Sequence, residues 1–92
     1  MGIPVEREVG LPIHYKGRAT GLVYRVDLLC HGDLLVELKA LPWVGPREVG
    51  QVLHYLKATQ HPTGLLLNFG APKLQHHVVL QRRITEQHVH QL

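Results

Sequence analysis

The chain has 92 residues, of which 45% are hydrophobic and 18% charged, and its formal net charge is +3. This length is near the lower limit for burying a sufficient core, so we expect one domain over residues 1–92. The lone cysteine, Cys30, excludes an intramolecular disulfide, and the short apolar runs and the absence of signal-peptide features favour a cytoplasmic protein without a membrane partner.

The first half of the sequence predicts an antiparallel meander of four strands. Apolar and polar residues alternate with a period of two, which is typical of strands with one buried face. Gly10 ends the first strand in this interpretation, and Gly17 and Gly21 bracket the turn before the third. The predicted strands cover residues of about 3–9, 11–16, 21–30 and 34–41.

The second half begins with a predicted helix over residues 46–60. Pro42 and Gly45 interrupt the strand pattern, and Pro46 is well placed in the first helical turn. One side of this helix is apolar at the i, i+3, i+4, i+7 spacing of a buried stripe. The stripe consists of Val49, Val52, Leu53 and Leu56.

Two more strands are expected after the helix. The apolar run at residues 64–69 is typical of a buried central strand, and the preceding helix supplies the crossover that parallel pairing requires. Residues 77–84 are predicted to form the last strand, followed by a frayed tail over residues 85–92. The fold class is therefore α/β (α+β): a central mixed β-sheet, made of an antiparallel meander and a parallel crossover, packed by one main helix.

The hairpin between the third and fourth predicted strands places charged residues on one face. If His31-Gly32-Asp33 forms a three-residue loop, Cys30 pairs with Leu34 and Asp27 lies opposite Glu37. Lys39, two residues further, shares that face. A two-residue loop would shift the register by one and move Asp27 to the other face.

Two carboxylates and an amine on one face have a chemical use. Asp27 and Glu37 would hold a hard cation such as Mg²⁺ or Mn²⁺, which would activate a water and neutralise charge that develops on a phosphodiester. Lys39 would orient the nucleophile or stabilise the transition state. The spacing alone is weak evidence, because a solvated sheet face with a cross-strand Glu/Lys pair has the same pattern.

The sequence resembles a known family over about residues 3–79. The segments VEREVGLPIHYKG, YRVDLL, LLVELKAL, EVGQVLHYLKAT and GLLLNFGAPKL follow the order and spacing of the GxxExxY proteins, a group within the PD-(D/E)XK nuclease superfamily. The resemblance implies a small restriction-endonuclease-like core and nuclease activity on DNA or RNA. It identifies Asp27 as the aspartate of the superfamily, Glu37 and Lys39 as its E-x-K, and Gln51 as a helix residue that shapes the site.

The chain departs from the family at its beginning. The Gly-x-x-Glu-x-x-Tyr motif lies on a helix upstream of the first strand in the family, and this sequence starts after it. Without that helix, one apolar face of the sheet is expected to be open to water. We therefore expect a homodimer or higher homo-oligomer in which a second copy or a partner covers this face.

Two hypotheses about function follow. The first is a Mg²⁺-dependent nuclease that uses Asp27, Glu37 and Lys39. The second is a catalytically inactive nuclease fold that acts as a self-assembling or partner-binding module. A basic groove that leads to the carboxylates would favour the enzyme, and a self-association surface would favour the module.

Other residues are assigned structural roles. The eight histidines include adjacent His76 and His77, which alternate on a strand, and His88 and His90 in the tail, and a zinc site would need further ligands. Trp43 is suited to stacking on a base as in single-strand binders, but packing over the helix start is the simpler interpretation.

Overall fold

The computed structural model describes residues 4–81, which form one mixed five-stranded sheet and one helix. The elements are β1 (Val5–Tyr15), β2 (Arg18–Cys30), β3 (Leu34–Lys39), α1 (Pro46–Thr59), β4 (Thr63–Asn68) and β5 (Gln75–Leu80). The strand order is β1-β2-β3-β4-β5; β3 and β4 are parallel, and the other neighbouring pairs are antiparallel. The predicted fold class is confirmed. The predicted tail, residues 85–92, lies outside the described residues.

The first two predicted strands are a single strand, so the prediction that Gly10 ends a strand was wrong. Gly10 pairs with Arg25 inside the β1–β2 ladder. Its missing side chain permits close approach, since a Cβ there would lie 2.9 Å from Val23 Cγ1. The glycine therefore marks a tight contact between two strands, which a sequence pattern does not distinguish from a strand end.

The turn between β1 and β2 is also earlier and tighter than predicted. Tyr15 pairs with Arg18, which leaves Lys16 and Gly17 as a two-residue loop with φ values of 49° and 77°. Positive φ at both positions is typical of the type I′ turn that fits the strand twist. Gly21 lies inside β2 rather than in the turn.

The hairpin of β2 and β3 has the predicted register. Cys30 pairs with Leu34, and His31-Gly32-Asp33 forms the loop, with φ values of 56° at His31 and 73° at Gly32. The ladder continues to Leu28 opposite Val36 and ends there. This end of the ladder is where the candidate site begins.

Helix α1 links the two parallel strands and covers one face of the sheet. Gly45 is the N-cap, and its backbone N–H donates to Glu48 Oε1 at 2.9 Å. The helix ends at Gln60, which adopts a left-handed conformation. The predicted apolar stripe is confirmed, because Val52 and Leu56 are buried and Val49 and Leu53 pack against the same core. With 14 residues, α1 is too short and too polar to cross a membrane.

The core lies between α1 and the sheet, and it shows a break in the alternation of β2. Tyr24, Val26 and Leu29 all contact one hydrophobic cluster, although a regular strand would turn Val26 and Leu29 to opposite faces. On the neighbouring strand, Glu8 has a φ of 51° and is missing from the β1–β2 register opposite Asp27. The regular alternation predicted for β2 was therefore wrong, because both strands are irregular at this level.

The face of the sheet without α1 is apolar. Leu28, Val36, Leu65 and Val78 form one row across four strands. The apolar side chains of this open face include Leu28, Leu34, Val36, Leu38, Leu65, Leu67, Val78 and Leu80, and Arg7, Thr63 and His76 lie on the same face. Val78 and Leu80 are 65% and 51% exposed, and no helix among residues 4–81 packs on it. An open apolar face is thus present in the described part of the chain.

Candidate active site

Asp27 and Glu37 lie together where the β2–β3 ladder ends. The Asp27 backbone N–H points to Glu37 Oε1 at 3.5 Å, and the Leu38 backbone N–H donates to Asp27 Oδ2 at 2.8 Å. Each carboxylate thus accepts a hydrogen bond from a backbone N–H of the opposite strand. In a regular ladder a backbone carbonyl would accept it. These contacts hold the two carboxylates side by side on the helix-covered face, as the predicted register requires.

Glu37 is the buried member of the pair. Its side chain is 8% exposed. Burial raises its pKa, and the Asp27 carboxylate raises it further, whereas the Tyr24 hydroxyl, the Asp27 backbone N–H and the Lys39 ammonium lower it. Two neighbouring carboxylates repel each other when both are charged. A proton shared between them or a bound cation removes this repulsion.

Lys39 is the last residue of β3 and is partly buried near Glu37. Its carbonyl oxygen accepts a hydrogen bond from the Phe69 backbone N–H at 2.9 Å, which extends the parallel β3–β4 pairing past the last ladder residues. The structure therefore brings Asp27, Glu37 and Lys39 into one region. An ammonium next to two carboxylates is suited to an anionic substrate that also contacts a cation.

Asn68 fixes the chain beyond Lys39, and sequence reasoning did not identify it. The side chain is fully buried. Its Oδ1 accepts from the Leu41 backbone N–H, and its Nδ2 donates to the Leu41 carbonyl and to Gln75 Oε1, each at 2.9 Å. Gln75 Oε1 in turn accepts from the Val44 backbone N–H at 2.9 Å. This Asn68–Gln75 network holds the loop that follows the site.

Gln51 is connected to the carboxylates through two aromatic rings. Its Nε2 donates to the Tyr55 hydroxyl at 3.4 Å. The Tyr55 ring stacks on Tyr24 with centroids 3.7 Å apart and an interplanar angle of 13°. Gln51 therefore lies at the outer end of a Gln51–Tyr55–Tyr24 chain that leads to Glu37, and its role in shaping the site stays a prediction.

Tyr24 is a site residue that the sequence analysis missed. Burial raises the pKa of its hydroxyl, and the adjacent Glu37 carboxylate raises it further. The hydroxyl oxygen is buried and approaches Glu37 without reaching hydrogen-bond geometry with any described residue. Regular alternation would turn Tyr24 away from the Asp27 face, so only the irregularity in β2 brings it to the site.

The donor atoms at this site fit a hard divalent cation. Two carboxylates are the protein ligands that Mg²⁺ typically takes, with waters and substrate phosphate completing the coordination. Within residues 4–81 no group of three or more His, Cys, Asp or Glu side chains could hold a metal ion, which does not match a zinc site. His88 and His90 lie outside the described residues.

One cavity lies away from the carboxylates. It measures about 510 Å³ and is lined by Gln60, His61, Pro62 and Gln81, at the opposite end of β4 from the carboxylates. Among residues 4–81, no acidic or lysine side chain lines it. Neither Asp27 nor Glu37 lines this cavity.

Comparison with known proteins agrees with the geometry. A family model described as PD-(D/E)XK nuclease superfamily matches residues 1–91. A solved structure titled "Crystal structure of SSO0001" is similar with a TM-score of 0.63 and 18% identity, over 87% of this chain and 44% of that one. The chain thus spans less than half of that protein, and the similarity concerns the fold. No curated protein matches the sequence.

Proposed function

Because the chain belongs to the PD-(D/E)XK nuclease superfamily, we propose that it hydrolyses phosphodiester bonds of DNA or RNA, with Asp27, Glu37 and Lys39 as catalytic residues. The observation that carries this proposal is the pair of contacts that holds the Asp27 and Glu37 carboxylates side by side next to Lys39. Within the superfamily, the segments VELKA and LLLNFG and the helix between them support membership of the GxxExxY group.

Each residue has a distinct role in this proposal. Asp27 and Glu37 would hold Mg²⁺ or Mn²⁺, and the bound ion would supply an activated water and neutralise charge on the phosphodiester. Lys39 places a compact positive charge beside the scissile phosphate. Gln51, through Tyr55 and Tyr24, limits the positions that Glu37 can adopt. The lone cysteine supports a cytoplasmic location.

The test is cleavage of labelled single- and double-stranded DNA and RNA with Mg²⁺ or Mn²⁺. We expect metal-dependent cleavage by the natural sequence and a loss of at least about 100-fold in Glu37→Ala and Lys39→Ala. Glu6→Ala and Arg7→Ala are matched controls, because both residues are exposed on β1, at the edge of the sheet. Equal activity of the site and control variants would overturn the assignment of these residues.

A second candidate function is a self-assembling module without catalysis. The open face favours it, because Val78 and Leu80 expose apolar surface that soluble proteins commonly cover. In this proposal a second copy of the chain covers the face, which makes a homodimer or a higher homo-oligomer. Analytical ultracentrifugation at micromolar concentration tests it: a folded protein that neither cleaves nucleic acid nor self-associates would contradict both candidates.

A further inference from the structure

A basic cleft lies between the β1–β2 turn and helix α1. Its volume is about 270 Å³, and it is lined by His14, Tyr15, Lys16, His54, Lys57 and Ala58. Cofactor and drug-sized ligands occupy pockets of about 300–1,000 Å³, so this cleft fits a smaller group. Two lysines and two histidines line it, and no carboxylate of residues 4–81 is among the lining residues. Basic side chains without a carboxylate are typical of a site that binds an anion.

The cationic groups reach the cleft from two separate elements. Lys16 comes from the turn between β1 and β2, and Lys57 from the last turn of α1. The Lys16 ammonium lies 5.4 Å from the centroid of the Tyr15 ring, a cation–π contact that orients it. Two ammonium groups that line one cleft without a carboxylate repel each other, and an anion between them removes that repulsion.

His14 adds a polar atom without a partner. Its Nδ1 is buried and has no hydrogen-bond partner within the described part of the chain. The atom is closed to solvent, so an anion in the cleft would meet the rest of the ring rather than Nδ1. Lys16 and Lys57 supply the positive charge that a phosphate requires.

The cleft is connected to the candidate active site through α1. The His54 ring, which lines the cleft, lies 6.1 Å from the Tyr55 ring. Tyr55 stacks on Tyr24, whose hydroxyl is next to Glu37. The stacked tyrosines therefore separate an acidic site from a basic one on neighbouring parts of the molecule. A polynucleotide meets this pattern, because it carries a phosphate at every nucleotide, on either side of the bond to be cut.

We propose that this basic cleft is a phosphate-binding subsite that holds the backbone of the polynucleotide whose scissile bond lies at Asp27 and Glu37. The part concerning the scissile bond rests on the proposed function. The contacts are to phosphate, so they position the strand and carry no base sequence information. Lys16 and Lys57 supply charge, and the His14 and His54 rings form part of the wall.

The experiment is fluorescence anisotropy of a labelled 12-nucleotide DNA or RNA in EDTA, without metal, over a range of salt concentrations. The variant is Lys16→Gln with Lys57→Gln, and the matched control is Arg7→Gln with Lys73→Gln, which removes the same charge from exposed positions outside the cleft. We expect at least about tenfold weaker binding in the cleft variant and a salt slope smaller by about one for each lysine. Equal weakening in both double variants would overturn the proposal, because it indicates only general charge attraction.

A second measurement identifies the anion. Titration with inorganic phosphate should shift the NMR resonances of the His14 imidazole in the natural sequence and not in the double-lysine variant. Phosphate shifts with no oligonucleotide effect would assign the cleft to free phosphate rather than to a polynucleotide. Both measurements are made without metal, so they are independent of cleavage: loss of cleavage in the proposed nuclease assay leaves this subsite standing, and failure here leaves Asp27, Glu37 and Lys39 untouched.

Discussion

The two faces of the sheet are built from alternate residues of the same strands and yet differ in regularity and polarity. The open face keeps the alternation of β3 to β5 and is mostly apolar, from Val36 to Val78, with Thr63 and His76 as polar members. The helix-covered face contains the core, and next to it the alternation fails, so that Tyr24 and Asp27 both approach Glu37. The carboxylates and the tyrosine hydroxyl thus meet where the strand alternation is interrupted, and the open face provides mostly apolar surface.

The largest expected effect is a difference in unfolding free energy between a substitution in the core and one on the open face. Leu66→Ala removes a fully buried side chain beneath α1 and should lower the free energy of unfolding by about 2–5 kcal/mol. Val78→Ala, on the open face, should change it by no more than about 0.5 kcal/mol, because Val78 is 65% exposed. Urea unfolding followed by circular dichroism measures both at low protein concentration. Equal losses would mean that the open face is buried in solution.

A smaller effect tests the buried network at the site end of the helix-covered face. Asn68→Ala leaves the backbone N–H and carbonyl of Leu41 without their partner, which should cost about 1–3 kcal/mol of unfolding free energy. Thr20→Val is the matched control, since the Thr20 hydroxyl donates to the Ile13 carbonyl at an exposed position. Its loss should cost much less. A similar cost for both would show that burial of the Asn68–Gln75 network does not stabilise the fold.

The smallest effect concerns the protonation of Glu37. Since burial raises its pKa in the folded state, its contribution to stability is fully present below the unfolded pKa and is lost as pH rises through the folded pKa. Glu37→Gln should therefore melt at a higher temperature than the natural sequence at pH 7.5. The two should melt at similar temperatures near pH 3.5, where the carboxyl is protonated in both states.

Two outcomes complete the Glu37 test. Adding Mg²⁺ at pH 7.5 should stabilise the natural sequence and not Glu37→Gln, because a ligand that binds only the folded state raises its stability. Glu6→Gln, at an exposed position on β1, is the control and should show no such pH dependence. A Glu37→Gln variant that is less stable at every pH would contradict the sign of this argument.

Local patterns predicted much of the fold. The spacing of Val52 and Leu56 predicted the buried side of α1, and the loop His31-Gly32-Asp33 predicted the pairing of Cys30 with Leu34. The parallel pairing of β3 and β4 followed from the crossover helix. The strand end predicted at Gly10 was wrong, because the sequence does not show whether a glycine ends a strand or allows a neighbouring strand to approach closely.

Some residues of the candidate site were predictable from the sequence and others were not. The register of one hairpin predicted that Asp27, Glu37 and Lys39 share a region, since a hairpin loop and a period of two are local properties of the chain. Tyr24 and Asn68 were not predictable in this way. Tyr24 depends on irregularities in two strands, and Asn68 depends on hydrogen bonds to residues 27 positions away, at Leu41.

By itself, the sequence determined the helix, the β2–β3 hairpin register and the grouping of three charged residues at the candidate site, because these depend on short-range spacing, but it divided β1 in two. Only the tertiary structure decided which face α1 covers, that Tyr24 lies near Glu37, and that His14 and Lys16 meet His54 and Lys57 in one cleft. These contacts join residues far apart in the chain, and their positions depend on how the sheet packs against the helix.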